Sequence, residues 1–422
     1  MKKTNPGDQP QLLVLCQLFY PELVSTGQTL TELCEELAEQ GMNIEVFCAP
    51  PTVIKRREKI PKNIKYKGIK IRRVWGTRLP KLNLTGRILN QGTFALSVFF
   101  WLLIHRPKKP ILVLTNPPFL AASCALLRKL KLIGSYIYLI FDVYPDTAIR
   151  LGVIKKNGLL SGLWDCLNGF ILKNTSAVIV IGRCMKEVIA EKMKKICCNE
   201  NDKIYNITMW SDDKLIKAAK GKDNPLIKKW NLENKFVVCY SGNMGRFHDM
   251  ETVIRSAEIL KTNEHICFLF VGEGHKKQDI IKYATEYNLQ NCQFHTYVTR
   301  QKLGFLMNLA DVGIVSLLES QEGLSVPSKA FGLMAAGVPI IAVMSAKSEI
   351  SRIVTEENCG LVTKPGNEKT LATNILRLYN NKNELEQMGK NSLNAINEKH
   401  NLENVSKQYF DLITEISPAK TR

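Results

Sequence analysis

Three short stretches of this 422-residue chain carry side chains and glycines suited to holding a phosphate. In "YSGNMGRFHD", Gly242, Asn243, Met244 and Gly245 make a glycine turn followed by Arg246 and His248, just where the strand-like "KFVVC" should give way to a helix. Glycines let a backbone approach a ligand closely, helix-start N–H groups carry partial positive charge, and Arg246 adds a permanent cation. A plain structural turn uses the same letters, so this stretch alone leaves both uses open. In "STGQTL", Ser25, Thr26 and Gly27 stand at the start of a helix. Thr26 suits an N-cap, and an open glycine beside it would leave helix N–H groups for an anion. In "LLESQEGLSVPSKAFGLMAAGVPIIA", Glu319 and Glu322 enter a glycine turn, and Ser328 and Lys329 open a helix. Carboxylates there can accept hydrogen bonds from sugar or ribose hydroxyls, and Lys329 can pair with phosphate. Singly, each is an ordinary surface charge or cap; grouped on one loop, they favour a site.

Asp142, in "IFDVYPD", closes an apolar strand. It could orient or deprotonate a hydroxyl, or it could serve as an Asx-turn residue before Pro145. Asp212-Asp213 lies in a polar stretch, Asp142 and Asp146 flank a proline turn, and no CxxC pair or His/Cys cluster stands at zinc spacing. Neither a metal nor another cofactor is therefore expected.

Positioning these residues requires alternating strands and helices. "QLLVLCQLFY", a helix with Leu30, Leu33, Leu37 and Ala38 at helical spacing, the stop at Gly41, and "NIEVFCA" form a βαβ unit. Further strands are expected at "KIRRVWG", "ILVLT", "YIYLIFDV" and "AVIVIG", with helices at 86–104, 119–131 and 159–172. The pattern restarts with "KFVVCYSG", "CFLFVGEG", "CQFHTY", "VGIVSL", "PIIAV" and "GLVTK", separated by helices at 250–260, 275–287, 301–309, 329–336 and 348–355. Two such runs predict two doubly wound parallel-sheet domains, 1–205 and 233–399, joined by a polar linker at 206–232. An amphipathic helix over 400–417 is expected to return to the first domain.

The formal charge is +19, and sixteen Lys and Arg between Lys55 and Lys109 face the single acid Glu58. Such a field attracts phosphates, nucleic acid or an anionic bilayer. Nucleic acid is disfavoured, since no RNP, KH or zinc signature is present and aromatics do not interleave the basic run. "FALSVFFWLLI", Phe94 to Ile104, has eleven apolar or small residues against the roughly 20 of a spanning helix, which leaves a core helix or a monotopic membrane surface. The twelve scattered cysteines fit reduced core residues of a cytosolic protein, and the N-terminal apolar run stops too soon for a signal peptide.

The ordered series "FYPELVSTGQTLTELCEELAEQG", "FDVYPD" with "RLGVI", "IGRCM", "ITMWSDDK", "YSGNMGRFHDMETVI", "VGEG", "VPSKAFGLMAAGVPIIA" and "SEISRIVTEENCGLV" resembles retaining glycosyltransferase family 4. It is most similar to the branch that builds O-antigens, colanic acid and other exopolysaccharides. The resemblance spans residues 11–413 and implies the GT-B fold, two Rossmann-like domains facing a cleft. It implies a nucleotide-sugar donor on the C-terminal domain, an acceptor on the other, and transfer with retention. By the same likeness Gly27 faces the donor diphosphate, Gly242, Asn243, Gly245 and Arg246 form its pocket, and Tyr297 and Val298 lie against the base.

Departures from the family pattern shift the assignments. The usual second glutamate falls on Gly332, or on Ala330 by spacing from Glu322, so Ser328 and Lys329 are candidates to replace it. The usual arginine and lysine of the glycine turn are Asn243 and His248, which moves the diphosphate-stabilising role to Arg246 and Lys329. A histidine common before the aspartate of "FDVYPD" is Phe141 here. The expectation is a cytoplasmic enzyme at the inner membrane face, using a UDP-sugar, on family frequency, and a polyprenyl-diphosphate-linked sugar acceptor. Alternatives are a nucleotide-sugar epimerase of the same fold and a non-enzymatic, basic polyanion-binding protein. The apolar run at Phe94–Ile104 argues against the epimerase, which needs no acceptor face.

Overall fold

The computed structural model describes residues 10–22, 26–51, 61–79, 84–117, 119–196, 201–211, 216–219 and 224–417. Ser25, Cys197, Cys198 and Asp212-Asp213 lie outside these. Two compact units emerge: 1–181, 185–207 and 402–422 form the first, and 182–184 with 208–401 the second.

In the first unit the elements run β1 (Gln11–Leu15), α1 (Thr26–Glu39), β2 (Asn43–Cys48), β3 (Asn63–Tyr66), β4 (Ile69–Arg73), α2 (Leu84–His105), β5 (Ile111–Leu114) and α3 (Leu120–Lys129). They continue as β6 (Tyr136–Ile140), α4 (Asp146–Arg150), α5 (Leu159–Asn174), β7 (Ala177–Val180), α6 (Arg183–Lys195) and β8 (Ile204–Asn206). The sheet order is β3-β4-β2-β1-β5-β6-β7-β8, parallel except for the β3–β4 pair. Strands such as "ILVL", "YIYLI" and "AVIV" are buried along their whole length, as a parallel sheet covered on both faces requires.

The second unit runs α7 (Pro225–Lys229), β9 (Phe236–Ser241), α8 (Glu251–Ile259), β10 (Ile266–Val271), α9 (Lys277–Glu286), β11 (Cys292–His295), α10 (Leu303–Asn308) and β12 (Val312–Ser316). Then follow α11 (Lys329–Ala335), β13 (Ile340–Val343), α12 (Glu349–Glu356), β14 (Gly360–Thr363), α13 (Glu368–Asn380) and α14 (Lys382–Ala395). Its six strands are all parallel in the order β11-β10-β9-β12-β13-β14. The order reverses beside β9, so the turn after β9 sits at a switch point, where ligands of such sheets bind.

Several expectations change in detail. Residues 208–232, read as a polar linker, belong to the second unit, because Trp210, Ile216, Leu226, Trp230 and Leu232 are buried. Thr26 is the first helical residue of α1 rather than a cap. Helix α2 extends the expected 86–104 to 22 residues, and its apolar stretch is longer than the eleven-residue run at Phe94–Ile104: over Ile88–His105 its length and composition suffice to cross a bilayer. One of its faces, Phe94, Val98 and Leu102, is fully buried. The helices α4 and α6 and the strands β3 and β8 were not foreseen, since their short or lysine-rich sequences mask the apolar period; α13 and α14 were not foreseen either, although Leu371, Ala372, Ile375 and Leu378 of α13 stand at helical spacing.

The last helix, α15 (Leu402–Ile416), counts with the first unit and packs on α1. Gln40 Nε2 donates to Ser406 Oγ at 2.7 Å, Ser135 Oγ donates to the Ile416 carbonyl at 3.3 Å, and Tyr409 is fully buried. Truncating so large a buried aromatic leaves a cavity. Tyr409→Ala is expected to destabilise the protein by about 3–5 kcal/mol, read as a lowered urea midpoint.

Candidate active site

The sheet of the second unit runs straight into its glycine turns. The Gly242 N–H donates to the Val271 carbonyl at 2.9 Å, and the Gly272 N–H to that of His295 at 3.0 Å, which extends the ladder beyond β9 and β10. Gly242 has φ of 127° and Gly272 φ of 148°. A Cβ on Gly272 would lie 2.0 Å from the Gly242 carbonyl oxygen, so only glycine permits the approach. The Met244 N–H donates to the Glu273 carbonyl at 2.8 Å and the Lys276 N–H to that of Met244 at 2.9 Å, which staples the "SGNMG" and "VGEG" turns together. The exposed Asn243 amide lies over Gly245, where its Nδ2 is 2.7 Å from the place a Cβ would take.

Lys329, the first residue of α11, reaches this turn. Its Nζ donates to Tyr240 Oη at 2.6 Å, stands 3.9 Å from the centroid of the Tyr240 ring, and lies 3.5 Å from where a Gly242 Cβ would be. Burial disfavours the ammonium and lowers its pKa to about 7. Tyr240 Oη in turn donates to the Asn243 carbonyl at 2.9 Å. Ser328 precedes it exposed, and its hydroxyl makes no capping bond, so the cap expected there does not form. Arg246 is exposed and, among the described residues, makes no hydrogen bond or ion pair.

His248 plays a structural part. The Gly245 N–H donates to its Nδ1 at 3.1 Å, which fixes a neutral ring and takes one turn amide out of reach of a ligand. Burial first, then the cations of Lys329 and Lys276, lower its pKa to about 3.

Two further lysines escaped the sequence reading. Lys277, buried, donates to the Gly272 carbonyl at 2.8 Å, to Glu273 Oε1 at 2.8 Å and to the His295 carbonyl at 3.2 Å; Lys276 donates to the His248 carbonyl at 2.7 Å. Their position after a glycine turn and at a helix start was the available signal. Tyr240 was also missed, hidden among the apolar residues of β9.

Tyr297 is 55% exposed just past β11, close enough for Glu273 to influence its hydroxyl, and Val298 beside it is half-buried. Glu322 is half-buried, and its carboxylate has no partner among the described residues. Glu319 is not brought to the cluster. It lies 3.8 Å from Lys364 Nζ and lines a separate recess of about 560 Å³ with Asp249, Thr252, Ser320 and Gly366. In the first unit, Gly27 is buried, and a Cβ there would come within 2.6 Å of the Glu22 carbonyl oxygen, so close chain packing by itself requires glycine. Asp142 borders a narrow pocket with Thr115, Tyr138, Asn168 and Lys192, and burial raises its pKa to about 6.

The second unit thus gathers four cations around a glycine turn, a site suited to an anion. The family of glycosyl transferases group 1 matches residues 223–395, which hold this turn and Lys329. WbjE of Pseudomonas aeruginosa, assigned as a glycosyltransferase, is 31% identical over 300 residues, 70% of this chain and 73% of WbjE. The chain belongs to the group 1 glycosyltransferases. WcaI of Escherichia coli K12, assigned to colanic acid biosynthesis, is 28% identical over 358 residues, 81% of this glycosyltransferase and 85% of WcaI. Among solved structures, HepE of Anabaena in complex with UDP matches with a TM-score of 0.71 and 13% identity, over 96% of this chain and 100% of that one. The fold is GT-B. The epimerase and the non-enzymatic polyanion binder give way to a glycosyltransferase.

A group whose folded pKa is depressed, as for His248, binds fewer protons folded than unfolded, so stability falls as pH drops from about 6.5 toward 3. His400, lowered by burial to about 4, adds to the effect. His248→Gln, which can still accept from Gly245, is expected to lower the slope of unfolding free energy against pH in that window, read from urea denaturation, by up to about 1.4 kcal/mol per pH unit.

Proposed function

We propose that this glycosyltransferase moves a sugar, with retention, from a UDP-sugar to a lipid-linked or saccharide acceptor in cell-surface polysaccharide biosynthesis, at the cytoplasmic face of the membrane. The observation that carries the donor part is Lys329 seated on the Gly242–Gly245 turn, with Arg246, exposed and without a partner among the described residues, next in the chain. WcaI, assigned to colanic acid, and HepE, solved with UDP, support the polymer and the nucleotide.

In this reading the donor diphosphate lies over Gly242, Asn243 and Gly245, with the base against Tyr297 and Val298. Arg246 and Lys329 take up negative charge as the bond from the sugar C1 to the phosphate oxygen breaks, its electron pair leaving with the phosphate. The acceptor oxygen bonds to C1 on the same face, and its proton passes to the departing phosphate oxygen. Glu322 and Ser328 accept hydrogen bonds from donor hydroxyls, and Asp142, ionised above about pH 6, orients the acceptor hydroxyl.

A thermal-shift panel of UDP-, GDP- and ADP-sugars is expected to give the largest rise with a UDP-sugar; no rise with any of the three would remove the donor assignment. Arg246→Ala is expected to slow transfer by about 10²-fold in kcat. A near-parental rate would return the turn to a purely structural role. For Lys329, a depressed pKa means the ammonium is lost as pH rises through about 7. Calorimetric UDP affinity is expected to be flat below that pH and to weaken above it, by up to about tenfold per unit, with Lys329→Met weak and pH-independent.

A further inference from the structure

Helix α2 is apolar on more than the side it buries. Phe94, Val98 and Leu102 are fully buried, yet Leu96 is 58%, Phe100 56% and Ile104 72% exposed, at the four-residue spacing of one outer stripe. A helix apolar all round is normally covered all round. Its neighbours repeat the pattern: α2 packs on α3 and α3 on α5, where Leu126 and Leu130, then Leu160 and Leu163, are exposed. Three adjacent helices thus share an uncovered apolar surface, more than the scattered single residues of an ordinary exterior.

The charge around this surface indicates what covers it. From Lys59 to Phe141 the chain has no acidic residue, and the acid on α5, Asp165, is held by Lys192 at 3.1 Å. Lys108 Nζ donates to the carbonyls of Lys131 and Leu132, both at 3.4 Å, which joins the basic segments after α2 and α3 at one end of the stripe. Arg106, Lys129 and Lys131 stand there, and Lys155 and Lys156 precede α5. Apolar side chains bordered by Lys and Arg match acyl chains beneath anionic headgroups.

We infer that the outer face of α2, α3 and α5 docks in the plane of an anionic lipid bilayer, as a monotopic surface, with α2 lying on the membrane rather than crossing it. The buried stripe of α2 is the reason it lies flat: crossing would pull Phe94, Val98 and Leu102 out of the core. The surface also leads to the acceptor candidate. Phe119, at the start of α3 and half-exposed, is 5.1 Å from the Trp164 ring of α5, which stacks at 5.5 Å on Tyr144, two residues beyond Asp142. A lipid-linked sugar would meet this aromatic row before Asp142. The inference rests on the lipid-linked acceptor reading for its purpose, while its evidence is independent of it.

The test is flotation of the full chain with vesicles of phosphatidylcholine, with and without phosphatidylglycerol, together with sedimentation and the UDP-induced thermal shift. Flotation is expected with the mixed vesicles and at least about 25-fold weaker binding with neutral ones, since each basic residue near the surface contributes about fivefold and at least two are engaged. Phe100→Glu with Ile104→Glu, both exposed positions, is expected to lose flotation by at least about tenfold, with unchanged unfolding temperature and UDP shift. Leu163→Glu on α5 should act in the same direction and guards against a local effect on α2. Equal flotation of parent and variants, or none by the parent, would overturn the inference. So would a dimer of the parent that the variants dissociate, which would mean that a second copy covers the face. Flotation without a UDP shift would leave the surface standing and remove the donor reading instead.

Discussion

Two turns with no side chain between them organise the second unit of this molecule. Because Gly272 leaves no room for a methyl against the Gly242 carbonyl, the ends of β9 and β10 can lie together and exchange backbone hydrogen bonds past the end of the sheet. Everything near the anion site follows from that approach. Lys276 and Lys277 donate to the carbonyls of His248 and Gly272 beside it, and the Asn243 carbonyl stands where Tyr240 can reach it. Tyr240 then offers Lys329 both an oxygen and a ring face.

The cations at this site are not equivalent. Lys277 is committed to two carbonyls and to Glu273, so its charge stabilises the turn. Arg246 is exposed and, among the described residues, makes no hydrogen bond or ion pair, which leaves its guanidinium open to an anion. Lys329 is desolvated, so its ammonium is costly until an anion arrives, and a bound phosphate would hold the proton on it. The histidine among them is held neutral by burial and two lysines, which suits a backbone acceptor and not a proton carrier.

The first unit solves a different problem with the same βα repeat. Its sheet is buried on both faces, but three of the covering helices keep apolar residues on their outer side, and the chain around them has shed its acids. Asp142 stands at the end of β6, in surroundings that raise its pKa, with the aromatic residues of α3 and α5 close by. The return of α15 to α1 makes this unit from both ends of the chain.

Periodicity was enough to show the two βα runs, because strands such as "YIYLI" and helices such as α8 bury residues at the spacing their geometry imposes. The glycine turn after β9, Arg246 and Lys329 were also legible, since glycines and cations at strand-to-helix junctions have few cheap alternatives. What the letters could not carry was partnership between distant residues. Glu319 and Glu322 look alike in sequence, yet a short 3₁₀ turn sends Glu319 to a recess beside Thr252. Tyr240 looks like one more strand residue until α11 folds across it, and residues 208–232 look like a linker until their tryptophans find a core. Local sequence determined the two βα runs and where charge sits. Only the tertiary structure decided which lysine is desolvated, which histidine is silenced and which apolar stripe of α2 is left uncovered, because burial and hydrogen-bond partners depend on segments far apart in the chain.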